Sequence, residues 1–267
     1  FKELLFSAMV VSMKRYWFVT AYILLYILSP LLNSAIKNMS QKEHLSLMII
    51  LFAIFSVGAN IMAYFSDFSG VNGGYSIIWF MVLYIFAAYI RNYGFKIKEG
   101  KYWIKLYICI SFILALSKFS IEIITIKIFN NSYGSSLFFS YNSVLVCSAS
   151  ICLFMFFKDL HIKNKYMINI ITLLSPLTFG VYLIHDHTYF RSFLWRVLIR
   201  PYELVNSATL IPYMLVCVPL IFLFCCVVDY LIRLFVEKSK IAMLMEKLIN
   251  KYEIIFSARL DTILKEV

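Results

Sequence analysis

Charged residues are scarce in this chain of 267 residues, and acidic ones are scarcest. Only 15% of its residues are charged and 62% are hydrophobic, whereas soluble domains average about 25% charged residues. The chain also lacks a linker rich in Gly, Ser and Pro, a signal-peptide pattern, and cysteines spaced for disulfides or zinc. These absences exclude an ordinary soluble domain and favour one domain without a metal site.

Seven long apolar runs fill most of the sequence. A helix needs about 20 mostly apolar residues to cross a membrane, and each run has or nearly has that length. The third run is the shortest and reaches it only by including Tyr93 and Phe95. We therefore predict an all-α polytopic transmembrane bundle of about seven spans within residues 1–235. The runs cover residues 17–36, 45–65, 77–90, 103–124, 137–157, 167–184 and 210–234.

The net charge of +11 is carried mainly by lysines that cluster in alternate loops. In a soluble protein this excess would suggest nucleic-acid binding. In a membrane protein, basic residues in short loops mark the cytoplasmic side and meet anionic headgroups. We therefore expect membrane lipid, and not nucleic acid, as a partner. The loop 91–105 and the C-terminus are predicted to be cytoplasmic, in a multi-pass protein of the cell membrane.

Residues 236–267 are predicted to form a cytoplasmic amphipathic helix. Apolar residues such as Ile241, Leu244 and Leu248 recur near helical spacing, and most charged residues lie away from that stripe. A helix of this kind lies on the membrane surface or docks on its own bundle or on a partner. The pattern leaves these alternatives open.

The predicted orientation can be tested by labelling cysteines placed in the loops. A cysteine at Asn72 or Ser207 should react with a membrane-impermeant thiol reagent added outside the cell, because both loops are predicted to face outward. A cysteine at Lys98 should stay unlabelled until the membrane is permeabilised. The unsubstituted protein, which has six cysteines of its own, provides the background. Labelling at Lys98 from outside would overturn the orientation.

The first stretch that suggests chemistry is WFVTAYILLYILSPLLN, residues 17–33. Tyr22 and Tyr26 are four residues apart and share one helix face, below Trp17 at the start of the span. A proline at position 30 is predicted to break the helix and to free carbonyl groups near Asn33, and broken helices within a membrane line cavities. Trp17, Tyr22, Tyr26 and Asn33 are therefore candidate substrate-binding residues. The alternative is a kinked helix with an interfacial Trp and two packed tyrosines.

The second stretch is TFGVYLIHDH, residues 178–187, which runs out of the sixth span after Pro176. His185 is a candidate proton carrier near neutral pH, and Asp186 could assist it or orient a neighbour. Tyr182 lies one turn earlier and is a candidate for substrate binding. The alternative is that His185 only caps the span and binds a headgroup.

The following outer loop contains arginines and no lysine, against the usual bias of outer loops. Arg196 and Arg200 are four residues apart, so a short helix in the headgroup layer would place them on one face. Arginine binds phosphate and carboxylate groups bidentately. The pair is predicted either to anchor to lipid phosphate or to bind an anionic glycan or its pyrophosphate-lipid carrier.

Together, residues 17–33 and 178–187 resemble the acyltransferase-3 family of multi-span membrane proteins, and most of all its members associated with bacterial surface-polysaccharide assembly. The resemblance extends over about residues 16–235 in span order. It implies transfer of an acyl group, commonly acetyl, from acetyl-CoA to a hydroxyl of a surface or lipid-linked glycan, with no bound cofactor. The family has more spans than this chain, and the chain starts with Phe1 instead of Met, so we expect it to be truncated at its N-terminus.

One departure from the family pattern concerns the catalytic base. The family's basic residue followed by a histidine, in its first spans, has no match here. His44 lies at the edge of the second run and His161 in a lysine-rich loop. We therefore expect residues 1–267 alone to transfer no acyl group, with His185 and Asp186 as the remaining catalytic candidates.

Two other classes of function fit the residues. Tyr-rich helices interrupted by proline, with arginines outside, also suit a transporter or flippase for lipid-linked sugar. A glycan polymerase presents outer arginines as well. The two motif stretches favour the acyltransferase.

Overall fold

The computed structural model describes most of the chain, namely residues 16–62, 70–95, 100–130, 137–237 and 247. These residues form helices and turns, and no β-strand occurs among them. Within this described part, six helical segments are long and apolar enough to cross a membrane. The predicted all-α polytopic bundle is confirmed.

The first of two compact units, Phe1–His161, contains six α-helices in its described part. Serines cap several of them. The Ser40 hydroxyl accepts a hydrogen bond from the Glu43 amide, and the Glu43 carboxylate accepts one from the Ser40 amide, which is a capping box. Ser76 and Ser143 cap later helices through their hydroxyls. The helices are α1 (Trp17–Lys37), α2 (Gln41–Phe52), α3 (Ala59–Met62), α4 (Ile77–Asn92), α5 (Gly100–Phe129) and α6 (Val144–Lys158).

Helix α1 is continuous through Pro30, so the predicted break in this span is wrong. Proline has no N–H, and it therefore leaves the carbonyl four residues earlier, that of Tyr26, without its helical partner. The Ser29 hydroxyl donates to that carbonyl at 2.8 Å. The Ser29 hydroxyl thus replaces the lost hydrogen bond, and the helix stays intact.

Helix α4 lies at the centre of the first unit, because it contributes to three hydrophobic clusters. Trp79 and Val82 pack in one, Ile85 and Tyr89 in a second, and Ile90 in a third. With 16 residues, α4 is shorter than the six candidate spans. The third predicted run is therefore the one that falls short of a full span.

A glycine accounts for the short length of α4. Gly94 has φ +64°, a conformation that other residues rarely adopt, and its N–H closes the helix on the Ile90 carbonyl at 3.0 Å. The helix consequently ends at Asn92, before the Tyr93 and Phe95 that a longer span would include.

The second unit, Ile162–Val267, has its core between α8 and α10. Leu177 and Val181 pack there against Cys225 and Cys226. At Pro176 a 3₁₀ turn, Ser175–Leu177, separates α7 from α8. The helices of this unit's described part are α7 (Lys165–Leu174), α8 (Thr178–His185), α9 (Thr188–Phe193) and α10 (Leu210–Glu237).

The predicted amphipathic tail, residues 236–267, lies outside the described residues except for Val236, Glu237 and Lys247. Lys98, named above for labelling, also lies outside them. The cysteines pack as small core residues, since five of the six are buried and all six are free thiols.

Candidate functional sites

An aromatic pocket lies at the N-terminal end of α1 in the first unit. The half-buried Trp17 ring contacts the Tyr75 ring edge-on, with centroids 4.6 Å apart, and stacks on Tyr141 at 6.0 Å. Tyr75 and Tyr141 are 4.9 Å apart. The pocket has a volume of about 360 Å³, at the lower end of the roughly 300–1,000 Å³ typical of small-molecule sites. It is lined by Trp17, Thr20, Ala21, Leu24, Asn72, Tyr75 and Ile77.

Two loops cross to hold Tyr75 and Tyr141 together. The Tyr141 amide donates to the Gly73 carbonyl at 2.9 Å. Gly74 has φ +95°, and a Cβ there would lie 2.5 Å from the Tyr141 Cβ. Glycine at position 74 is therefore what allows the loops to approach this closely. Burial, and then a hydrogen bond with Tyr141, raise the pKa of Tyr75.

Buried amides join the same crossing to the second span. Asn60 donates to the Asn142 carbonyl at 3.3 Å and accepts from the Ser140 hydroxyl at 2.8 Å. Asn142 donates to the Phe55 carbonyl at 2.9 Å, within a π turn, Ala53–Gly58, that interrupts the span. A π turn displaces backbone carbonyls from the regular helical pattern, and Asn142 uses one of them. Sequence analysis missed this network because its bonds join residues that are 80 or more positions apart.

A polar cleft lies at the opposite end of α1, beside the end of α4. The Tyr84 hydroxyl donates to Asn33 Oδ1 at 2.8 Å. Lys37 and Arg91 both line the cleft, so these two basic residues lie at the same end of α1 and α4. Its volume is about 470 Å³, and it is lined by Asn33, Ile36, Lys37, Tyr84, Ala87, Ala88, Arg91 and Asn92.

His44 is fully buried between α2 and α4. Its Nε2 donates to the Ile85 carbonyl at 3.0 Å, and its ring packs edge-on against Tyr89. Nδ1 has no hydrogen-bond partner among the described residues. His44 therefore ties the two helices together, a role that its position at the edge of an apolar run did not indicate.

The four candidate residues of α1 do not form one site. Trp17 lines the aromatic pocket and Asn33 the polar cleft, and 16 residues of helix separate them by about 24 Å. Tyr22 and Tyr26 are 56% and 68% exposed and line neither of these sites. The shared face predicted for the two tyrosines is a surface of the first unit.

In the second unit, His185 donates through Nδ1 to the Val181 carbonyl at 2.7 Å, while its ring contacts Tyr182. Asp186 forms an ion pair at 2.9 Å with Arg191 of the next helix, α9. His185 therefore bonds back to its own helix through Nδ1, an arrangement that fits the alternative in which it caps the span.

The predicted shared helical face of Arg196 and Arg200 is wrong. The π turn that contains Arg196 ends at Ile199, and Arg200 lies beyond it in the left-handed conformation, with φ +51°. Arg200 pairs instead with Glu203 at 2.5 Å. Arg196 is exposed, and among the described residues its side chain forms no ion pair.

An ion pair that sequence analysis missed lies within α10, beside the 3₁₀ turn that contains Pro176. Asp229 accepts from Arg233 at 2.7 Å, and Arg233 also donates to the Pro176 carbonyl at 2.7 Å. Gly180, in the TFGVYLIHDH stretch, faces the Asp229 carboxylate so closely that a Cβ would overlap it. The motif glycine therefore makes room for a charged group in the last span.

Among the described residues, no group of three His, Cys, Asp or Glu side chains is placed to hold a metal ion. The sites described above are therefore an aromatic pocket, a polar cleft and an ion pair within α10.

Comparison with known proteins identifies the family. The acyltransferase domain family, acyltransferase-3, matches residues 5–230, which is most of the 267-residue chain. No curated protein and no solved structure matches the chain. The resemblance carried by residues 17–33 and 178–187 is thereby confirmed. The chain belongs to the acyltransferase-3 family and is a membrane acyltransferase.

Proposed function

We propose that the protein transfers an acyl group, acetyl in the simplest case, from acyl-CoA to a hydroxyl of a surface or lipid-linked glycan. The hydroxyl oxygen attacks the thioester carbonyl, a C–O ester bond forms, and the C–S bond breaks. The hydroxyl proton passes to a general base and then to the departing thiolate of coenzyme A. The protein is placed in the cell membrane as a multi-pass protein with a cytoplasmic C-terminus. In this location the donor reaches it from inside the cell.

The observation that carries the glycan assignment is the aromatic pocket around Trp17. One face of a sugar ring presents C–H groups, which pack on aromatic rings, while its hydroxyls need hydrogen-bonding groups at the rim. Trp17 and Tyr75 supply the rings, with Tyr141 packed against both, and Thr20, Asn72 and Tyr75 are the polar residues of the lining. A pocket of mainly apolar walls with a few polar groups is typical of small-molecule recognition.

The function is tested with the complete gene product in isolated membranes, given radiolabelled acetyl-CoA and glycan. Label should enter the glycan and be released by mild alkali, as expected for an ester. Membranes without the protein are the control. If the glycan gains no more alkali-labile label with the protein than without it, the proposed function is wrong.

The pocket is tested by replacing Trp17 with Ala, which should raise the acceptor KM about tenfold. Each aromatic contact is worth roughly 0.5–1.5 kcal/mol beyond its burial, and about 1.4 kcal/mol is a factor of ten. Trp17→Phe should have an intermediate effect, and the donor KM should not change. Phe112→Ala, which removes an exposed ring of α5, is the matched control. A normal acceptor KM in Trp17→Ala would show that the glycan does not bind in this pocket.

A further inference from the structure

We propose that the cleft between the ends of α1 and α4 binds the phosphate groups of the acyl donor. The proposal rests on the proposed function, which makes acyl-CoA the donor. Two cations, Lys37 and Arg91, converge on one cleft of about 470 Å³. Converging cations beside neutral hydrogen-bonding groups form a typical phosphate site.

The two cations have no counter-ion in the part of the chain that the structure describes. The ion pairs found there join Arg191 to Asp186, Arg200 to Glu203 and Arg233 to Asp229. A cation in the last turn of a helix is stabilised by the helix dipole, and this accounts for one charge at each helix end. It does not account for both charges lining the same open cleft, which leaves a concentration of positive charge for an anion to neutralise.

Neutral groups complete the cleft. Because Asn33 Oδ1 accepts from Tyr84 at 2.8 Å, the two N–H donors of the Asn33 amide remain for a ligand. Asn92 adds a second exposed amide. The floor is apolar, from Ile36, Ala87 and Ala88. Donors and cations above an apolar floor suit an amphipathic ligand that carries phosphate.

The position of the cleft also suits a coenzyme A thioester. The cleft lies at the end of α1 opposite the aromatic pocket, about 24 Å from it along the helix. Coenzyme A carries its thioester on a long flexible arm, away from its phosphates. A phosphate site therefore does not need to lie at the reacting atoms, and Lys37 and Arg91 act as binding residues only.

Coenzyme A binding to the purified complete gene product, in phosphatidylcholine nanodiscs, tests the proposal. The double variant Lys37→Gln/Arg91→Gln should raise the Kd for coenzyme A at least about tenfold, which corresponds to about 1.4 kcal/mol. Pantetheine, which lacks the phosphates, should bind the two proteins equally. Lys37→Arg/Arg91→Lys, which retains both charges, should bind coenzyme A better than the Gln variant does.

The matched control is Lys101→Gln/Lys105→Gln, which removes two charges from the first turns of α5, predicted to lie on the same side of the membrane. Neither lysine lines the cleft, so the Kd should stay within about twofold of the original value. An unchanged Kd in the Lys37/Arg91 variant would overturn the proposal.

A second arm separates the donor from a lipid headgroup, which presents the same phosphate chemistry. If phosphatidylglycerol in the nanodiscs binds the unsubstituted protein but not the Gln double variant, while coenzyme A binds both equally, the cleft is a lipid site and the donor assignment fails. If coenzyme A binding depends on the two charges but no acyl group reaches glycan, the proposed function fails and the phosphate site stands.

Discussion

Replacing Gly74 with Ala should destabilise the first unit by roughly 2–5 kcal/mol, since a left-handed conformation costs about 1–2 kcal/mol and overpacking about 1–3 kcal/mol. Gly74 has φ +95°, and an added Cβ would lie 2.5 Å from the Tyr141 Cβ and 2.9 Å from the Asn142 amide nitrogen. Neither atom can move without shifting the loop backbone. The loop crossing should therefore open, and the aromatic pocket should be lost with it.

The measurement is the free energy of unfolding in detergent, together with the acceptor KM. Gly73→Ala is the matched control, because Gly73 also has positive φ, +63°, but the nearest atom to its added Cβ is 3.9 Å away. It should show only the conformational cost of about 1–2 kcal/mol. Equal losses at the two positions would mean that the close approach at Gly74 is relieved without cost.

Replacing Gly180 with Ala should destabilise the second unit by roughly 1.5–5 kcal/mol. The added Cβ would overlap the Asp229 carboxylate, so Asp229 must turn away and release Arg233. Overpacking costs about 1–3 kcal/mol, and a lost hydrogen bond to a charged group costs about 1.5–3 kcal/mol. Alanine recovers about 1 kcal/mol over glycine within a helix, which is too little to offset the loss.

A double-mutant cycle isolates the contact. In Gly180→Ala/Asp229→Ala the overlap is gone, so the combined loss should be smaller than the sum of the two single losses by more than about 1 kcal/mol. Gly100→Ala is the control, because the nearest atom to its added Cβ lies 3.7 Å away and the change should be neutral or slightly stabilising. Additive losses at positions 180 and 229 would contradict the proposed overlap.

Much of the helical pattern could be predicted from the sequence, because a membrane span needs a long apolar run and such runs are visible without a structure. It was harder to predict which groups complete the backbone hydrogen bonds and where a helix ends. Pro30 does not break α1, since Ser29 supplies the missing hydrogen bond. Arg200 leaves its helix, since the turn before it is a π turn that ends at Ile199.

The candidate sites were mostly beyond the reach of sequence analysis, because they depend on which helices are neighbours. Spacing within one helix indicates a shared face, but it cannot show that Lys37 meets Arg91 or that Gly180 faces Asp229. Some informative residues were visible in the sequence, but the residues that they contact were not. A glycine within the TFGVYLIHDH stretch and an aspartate within the last apolar run are examples.

The π turn at Ala53–Gly58 determines the angle around the helix axis between residues at the two ends of the second span. His44 and Asn60 are 16 residues apart, and at about 100° per residue they would point about 160° apart in an uninterrupted α-helix. The one extra residue that a π turn accommodates reduces this angle to about 60°. One helix can therefore bury His44 against α4 and Asn60 against the loop crossing on nearly the same side. Deleting one residue of the turn, so that it becomes regular α-helix, should therefore keep His44 and Asn60 about 60° apart, because 15 helical residues turn through about 1,500°.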